Sequence, residues 1–118
     1  MSQITTTFGL SLANGNVVDD MTAITATIAQ TSARSYSNTQ TIGTSEETLA
    51  VGADVGDPGW FYARNVGSND IKIGPATGSY IFLLKGGEQC MGRLEAGVTI
   101  YAIAITGNSD LRYKIYDT

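Results

Sequence analysis

The sequence predicts an all-β fold: an antiparallel β-sandwich of jelly-roll or Ig-like type with about eight to ten short strands. Three observations predict it. Apolar and polar residues alternate over short runs along most of the chain. Turn-forming Gly, Asn, Asp and Pro separate those runs about every 8–12 residues. Helical periodicity is nearly absent, since the best candidates, residues 19–30 and 45–49, are rich in Thr and other β-branched side chains that disfavour helix. At 118 residues the chain is long enough to bury a proper core as one domain.

Taken in order, Ile4, Thr6, Phe8, Leu10 and Leu12 share one parity and read as a strand with one buried face. Asn14-Gly15-Asn16 supplies residues that tolerate positive φ, so the chain turns there. Ile24, Ala26 and Ile28 alternate with Thr25 and Thr27 and form a second strand. Residues 31–40 (TSARSYSNTQ) lack periodicity and read as a loop or a loosely held edge strand. Composition also changes along the chain: Ser and Thr occupy 17 of the first 48 positions but seven of the remaining 70. The expected organisation is an N-terminal segment, residues 1–40, and a β-sandwich core, residues 41–118, within what is overall a single domain. The N-terminal strands serve either as an assembly arm that orders on a neighbour or as an edge hairpin of the same sheet.

The second segment is denser. A short strand is expected over residues 47–51, then a glycine-rich loop over 52–59. Residues 60–66 (WFYARNV) carry three consecutive aromatics, strong strand formers that need burial. Ile71 and Ile73 flank an outward Lys72. Residues 80–84 (YIFLL) form a continuous apolar run expected to be buried on both faces, and residues 89–94 follow as another strand. Residues 98–105 (VTIYAIAI) are the most hydrophobic stretch and are expected at the centre of a sheet. Leu111, Tyr113 and Ile115 alternate with Arg112, Lys114 and Tyr116, which pins the last strand within a sheet.

The residue inventory narrows the chemistry. Histidine is absent, which removes Ser-His-Asp and Cys-His nucleophiles and the commonest metal ligand. Asp19-Asp20 and Glu46-Glu47 are adjacent pairs whose members point to opposite faces of a strand, which suits solvated edges better than a catalytic dyad. Asp54 and Asp57 lie in a glycine loop that matches no EF-hand pattern. Cys90 is the single cysteine and reads as a small buried hydrophobe. No enzyme activity, catalytic residue, cofactor or metal is therefore expected.

Partners follow from charge and from the aromatic residues. A net charge of −4 and a pI near 4.5 disfavour nucleic acid. Six acids stand against Arg34 alone in residues 1–59, whereas six bases face five acids in residues 60–118, a polarity that suits head-to-tail docking of identical subunits. The N-terminal residues show neither a basic nor an apolar leader region, and no apolar run approaches the ~20 residues of a membrane span, so synthesis in a cytosol-like compartment is expected. Residues 60–62 must serve both faces of a sheet, which leaves a bulky ring facing away from the core. The interface candidates are Phe8, Trp60, Tyr62, Arg64 and Tyr116.

The order of features over residues 59–117 resembles a recurring type of small tailed-bacteriophage virion protein. The residues that carry it are Gly59-Trp60-Phe61-Tyr62-Ala63-Arg64-Asn65, Ile71-Lys72-Ile73-Gly74 and Phe82-Leu83-Leu84-Lys85-Gly86-Gly87-Glu88. Leu94-Glu95-Ala96-Gly97-Val98-Thr99-Ile100-Tyr101-Ala102 and Leu111-Arg112-Tyr113-Lys114-Ile115-Tyr116-Asp117 complete it. Gly86-Gly87 and Ala96-Gly97 stand where such proteins tend to carry Pro-Gly turns. The resemblance implies a structural subunit of a virion, made in the host cytoplasm. In that role it acts as a capsid decoration or fibre protein that joins copies of itself and other virion proteins such as a major capsid protein. A tail or connector component is the nearest alternative, and a carbohydrate- or receptor-binding β-sandwich, suggested by the aromatics around Trp60, is the other.

Overall fold

The structure is a computed structural model that describes residues 2–30 and 34–117. Every regular element among the described residues is a strand, and all strand pairing is antiparallel. The chain forms two compact units, Met1–Ala33 and Arg34–Thr118.

The first unit is a two-stranded hairpin of β1 (Ser2–Asn14) and β2 (Val17–Gln30). Its connection is the expected turn, with Gly15 at φ 59 taking the left-handed conformation that Asn14-Gly15-Asn16 announced. Pairing is regular from Ser2↔Gln30 to Phe8↔Ile24 and resumes at Leu10↔Met21, so Gly9 faces two residues, Thr22 and Ala23. This β-bulge absorbs one residue of β2. It keeps Met21 and Ile24 on the same face although three positions separate them. Residues with that spacing point in opposite directions in a regular strand, which is why alternation marked only Ile24, Ala26 and Ile28.

The second unit is a sandwich of two four-stranded sheets. One sheet runs β3 (Ser35–Ile42), β10 (Ser109–Asp117), β5 (Pro58–Asn65), β8 (Gln89–Arg93). The other runs β4 (Glu47–Thr48), β9 (Tyr101–Ala104), β6 (Ile71–Gly74), β7 (Phe82–Leu84). Counted from β3, the orders are first-eighth-third-sixth and second-seventh-fourth-fifth. That is the wiring of an eight-stranded jelly roll and not of an Ig domain, so of the two sandwich types expected the first is found. β3 is hydrogen-bonded to β10 along its length, from Ser109↔Ile42 to Tyr116↔Ser35. The sandwich thus begins at residue 34 rather than 41, and most of the stretch without periodicity is an edge strand. Residues 31–33 of that stretch lie outside the described residues.

The core follows from alternation. Phe61, Ala63, Leu111, Tyr113 and Ile115 point inward from one sheet and meet Ile71, Ile73, Ala102 and Ala104 from the other. Small Ala63, Ala102 and Ala104 sit among large residues, the interdigitation that close packing requires. Tyr113 is fully buried, and its hydroxyl donates to the Ala50 carbonyl at 2.6 Å and accepts from Asn38 Nδ2 at 3.2 Å. Burial is the main cause that raises its pKa above the ordinary tyrosine value. Gln40 fastens the same loop, accepting from the Ala50 N–H at 3.0 Å and donating to Glu47 Oε1 at 2.8 Å. Gly74 ends β6 where the chain doubles back, and a Cβ there would overlap the Ser79 carbonyl, so only glycine fits.

Two expectations about burial need correction. The 80–84 run is not buried on both faces: β7 is an edge strand, and Ile81 (71% exposed), Phe82 and Leu83 reach the surface. Continuous hydrophobicity indicated a central strand, but only Leu84 of β7 turns into the core. The first strand departs from its reading in part: Ile4 and Thr6 are buried, but Phe8, Leu10 and Leu12 are exposed. By contrast the 98–105 stretch holds β9, an inner strand between β4 and β6, as its hydrophobicity predicted.

Candidate functional site

Two surfaces gather the candidate residues. The first is the outer face of the β3-β10-β5-β8 sheet. Residues 60, 62 and 64 share one parity of β5, opposite to buried Phe61, Ala63 and Asn65. Strand register then lines up three cross-strand rows. Ser35, Tyr116, Trp60 and Arg93 form one; Ser37, Lys114, Tyr62 and Met91 the next; Thr39, Arg112, Arg64 and Gln89 the third. Four of the five sequence candidates (Trp60, Tyr62, Arg64 and Tyr116) therefore share a single face. Phe8 does not join them: it belongs to the hairpin unit.

The rings on this face are half-buried and the guanidinium groups exposed. The Arg93 guanidinium carbon lies 6.0 Å from the Trp60 ring centroid, a cation–π arrangement. The Tyr62 hydroxyl donates to Gln89 Oε1 at 2.9 Å, and Arg64 Nε donates to the Gly87 carbonyl at 3.2 Å, which orients the side chain. The Trp60 indole N–H is buried without a partner among the described residues. Four of the seven basic residues lie here, Arg64, Arg93, Arg112 and Lys114. Among the described residues, the carboxylate sharing the rows of this face is Asp110 at its end, which accepts from Thr41 Oγ1 at 2.7 Å. An acidic chain thus presents one cationic, aromatic surface.

The second surface is the hairpin. Register places Ile4, Thr6, Phe8, Leu10 and Leu12 on the same face as Ile28, Ala26, Ile24, Met21 and Asp19. Thr5, Thr7, Thr25 and Thr27 occupy the opposite face, where Thr7 and Thr25 hydroxyls are 3.2 Å apart. Ile4 and Thr6 on this face are buried, and from Phe8 to the turn it is open to solvent in the single chain: Leu10 is 73% and Ile24 59% exposed, with Phe8, Leu12 and Met21 also exposed. Residues 2–30 include no Pro, Lys or Arg.

The remaining candidates resolve into structural contacts. Glu46 accepts from the Gly78 N–H at 2.9 Å and from the Tyr80 hydroxyl, and these hydrogen bonds hold its carboxyl below the usual value. Glu47 accepts from the Gly43 N–H at 3.1 Å. That carboxylate pair, expected as a solvated edge, instead brackets loops. Burial pushes the Cys90 thiol up to about 11, so it is a poor nucleophile at neutral pH. Among the described residues no three His, Cys, Asp or Glu side chains come together, and Asp54 and Asp57 are exposed loop residues. An apolar cleft of about 320 Å³ lies beside β7, lined by Phe61, Pro75, Ile81, Phe82, Leu94 and Val98.

Arg93, Arg112 and Lys114 were not marked from the sequence. Their alternation was visible, but only register shows that they stand beside Trp60, Tyr62 and Arg64. No protein-family model, curated protein or solved structure matches the chain.

Proposed function

We propose that this chain is a non-enzymatic structural subunit of a bacteriophage virion that acts by assembling with copies of itself and with other virion proteins. Capsid decoration or fibre is the favoured role, and a tail or connector component the nearest alternative. The observation that carries assembly is the open apolar face of the β1–β2 hairpin. A lone two-stranded ribbon is at best marginally stable in water, so strands of 13 and 14 residues call for a partner. Among the described residues β1 and β2 pair with no other strand, and the Lys and Pro residues that usually guard strand edges are missing from residues 2–30.

A second copy of the same hairpin suits this face. Its centre carries no charge, so nothing on it demands an oppositely charged partner. Five side chains about half exposed, at ~200 Å² each, make two stacked faces worth roughly 1,000 Å², the low end of specific interfaces. The jelly-roll wiring supports the virion setting by analogy, since it recurs in viral capsid and lectin domains. The resemblance over residues 59–117 points the same way.

The test is solution mass by light scattering over a dilution series, for the native chain and for Leu10→Glu combined with Ile24→Glu. The expected result is a stable multimer that the double substitution dissociates, while near-UV circular dichroism of the sandwich is retained. A native chain that is monomeric at every concentration, or a multimer indifferent to both substitutions, would overturn hairpin-mediated assembly.

A further inference from the structure

We infer that the outer face of the β3-β10-β5-β8 sheet binds a carboxylate-bearing polysaccharide, with Arg64 and Arg112 clasping its acid groups and Tyr62 and Tyr116 stacking on its rings. This surface lies outside the hairpin, and the inference does not depend on assembly.

The first observation is a like-charge pair. Arg64 and Arg112 are direct cross-strand partners on an exposed face, an arrangement that destabilises a sheet. Lys114 follows two residues along the same face of β10. None of the three has a carboxylate partner among the described residues. An anion seated between the two guanidinium groups would relieve their repulsion, and the planar forks match a carboxylate bidentately. Arg64 is already aimed by its bond to the Gly87 carbonyl.

The second observation is the neighbouring chemistry. Tyr62 and Tyr116 flank Lys114 across and along the strands, so flat apolar rings alternate with cations. Ser37, Thr39 and Gln89 add hydroxyl and amide groups to the same rows. Apolar rings for sugar faces, neutral hydrogen-bonding groups for hydroxyls and spaced guanidinium groups for acid groups together describe an acidic glycan. A nucleic acid is the other polyanion with rings to stack. The glycan is favoured because the hydroxyl and amide groups of these rows match the hydroxyls of every sugar unit, whereas thymine presents few such groups, and oligo(dT) is the comparator that tests the nucleic-acid reading.

The experiment measures binding of the full chain to immobilised polygalacturonate at low salt, with neutral dextran and oligo(dT) as comparators. Polygalacturonate should bind, binding should weaken as salt rises, and dextran and oligo(dT) should bind at least tenfold more weakly. Arg64→Ser with Arg112→Ser should reduce affinity at least tenfold while raising thermal stability slightly, because the repulsion is gone. Tyr62→Ser should weaken binding without changing the salt dependence. Lys85→Ser, on the loop after β7, should bind as the native chain does. The inference fails if polygalacturonate does not bind, if dextran or oligo(dT) binds equally well, or if the paired arginine substitutions have no more effect than Lys85→Ser.

Discussion

Asn65 and Leu84 join the two sheets of the jelly roll: Asn65 Nδ2, on β5, donates to the Leu84 carbonyl, on β7, at 2.9 Å. The same fully buried amide donates to the Asn69 carbonyl at 2.7 Å, and its Oδ1 accepts from Ser109 Oγ at 2.8 Å and the Gly67 N–H at 3.0 Å. One side chain on β5 thus satisfies groups on β7, β10 and the loop after β5. Each would be an unpaired polar group if it were lost.

Asn65→Ala is expected to lower stability by roughly 3 kcal/mol, since several buried partners lose their bonds at once. Asn65→Asp should do at least as badly, because a carboxylate cannot donate to the Leu84 and Asn69 carbonyls. Urea unfolding monitored by Trp60 fluorescence measures both. Equal stability of native and Asn65→Asp chains would show that the donor bonds contribute nothing.

The contact of Glu46 with Tyr80 makes loop bracing pH-dependent at both ends. Glu46 is lowered from 4.5, chiefly by the Tyr80 hydroxyl and then by the Gly78 N–H. Its contribution is present above that ordinary value and lost as pH falls through the depressed one. Tyr80 is raised from 10.0, chiefly by its bond to Glu46, so its contribution is present below that value and lost as pH rises through the raised one. Melting temperature plotted against pH should fall more gently toward both extremes in Glu46→Gln than in the native chain. Parallel curves would refute the bracing.

Cys90 offers a probe of sandwich opening. Its thiol, held near 11 mainly by burial, should resist Ellman's reagent at pH 8 in the folded chain and react fully in denaturant. Its raised value adds stability below the ordinary thiol pKa that is lost as pH rises through about 11. Rapid reaction of the folded chain would mean that β8 detaches readily from β5.

The sandwich was legible because its strands obey a period of two. Leu111, Tyr113 and Ile115 declared the inner face of β10 as clearly as Trp60, Tyr62 and Arg64 declared the outer face of β5. Two kinds of information escaped. The bulge at Thr22-Ala23 breaks parity, so Met21 could not be placed with Ile24 by counting. Edge position is a property of topology, so the apolar run through Ile81 and Phe82 looked central although it borders a sheet. The cationic face stayed hidden for a related reason: Arg64 and Arg112 are neighbours only through register, and a single strand read alone shows one basic residue rather than a pair.

The place of β10 has a consequence for how the molecule is made. It is synthesised after the other nine strands described, yet it lies between β3 and β5, and its Tyr113 bonds Asn38 from 75 residues away. Until it leaves the ribosome, β3 has no neighbour in its sheet and β5 has an open side, so this sheet cannot close before β10 emerges. The hairpin, whose pairing is wholly local, is free to form long before. Nascent chains stalled short of Ser109 should therefore have only the local pairing of the N-terminal ribbon open to them, ahead of a sandwich still lacking its keystone.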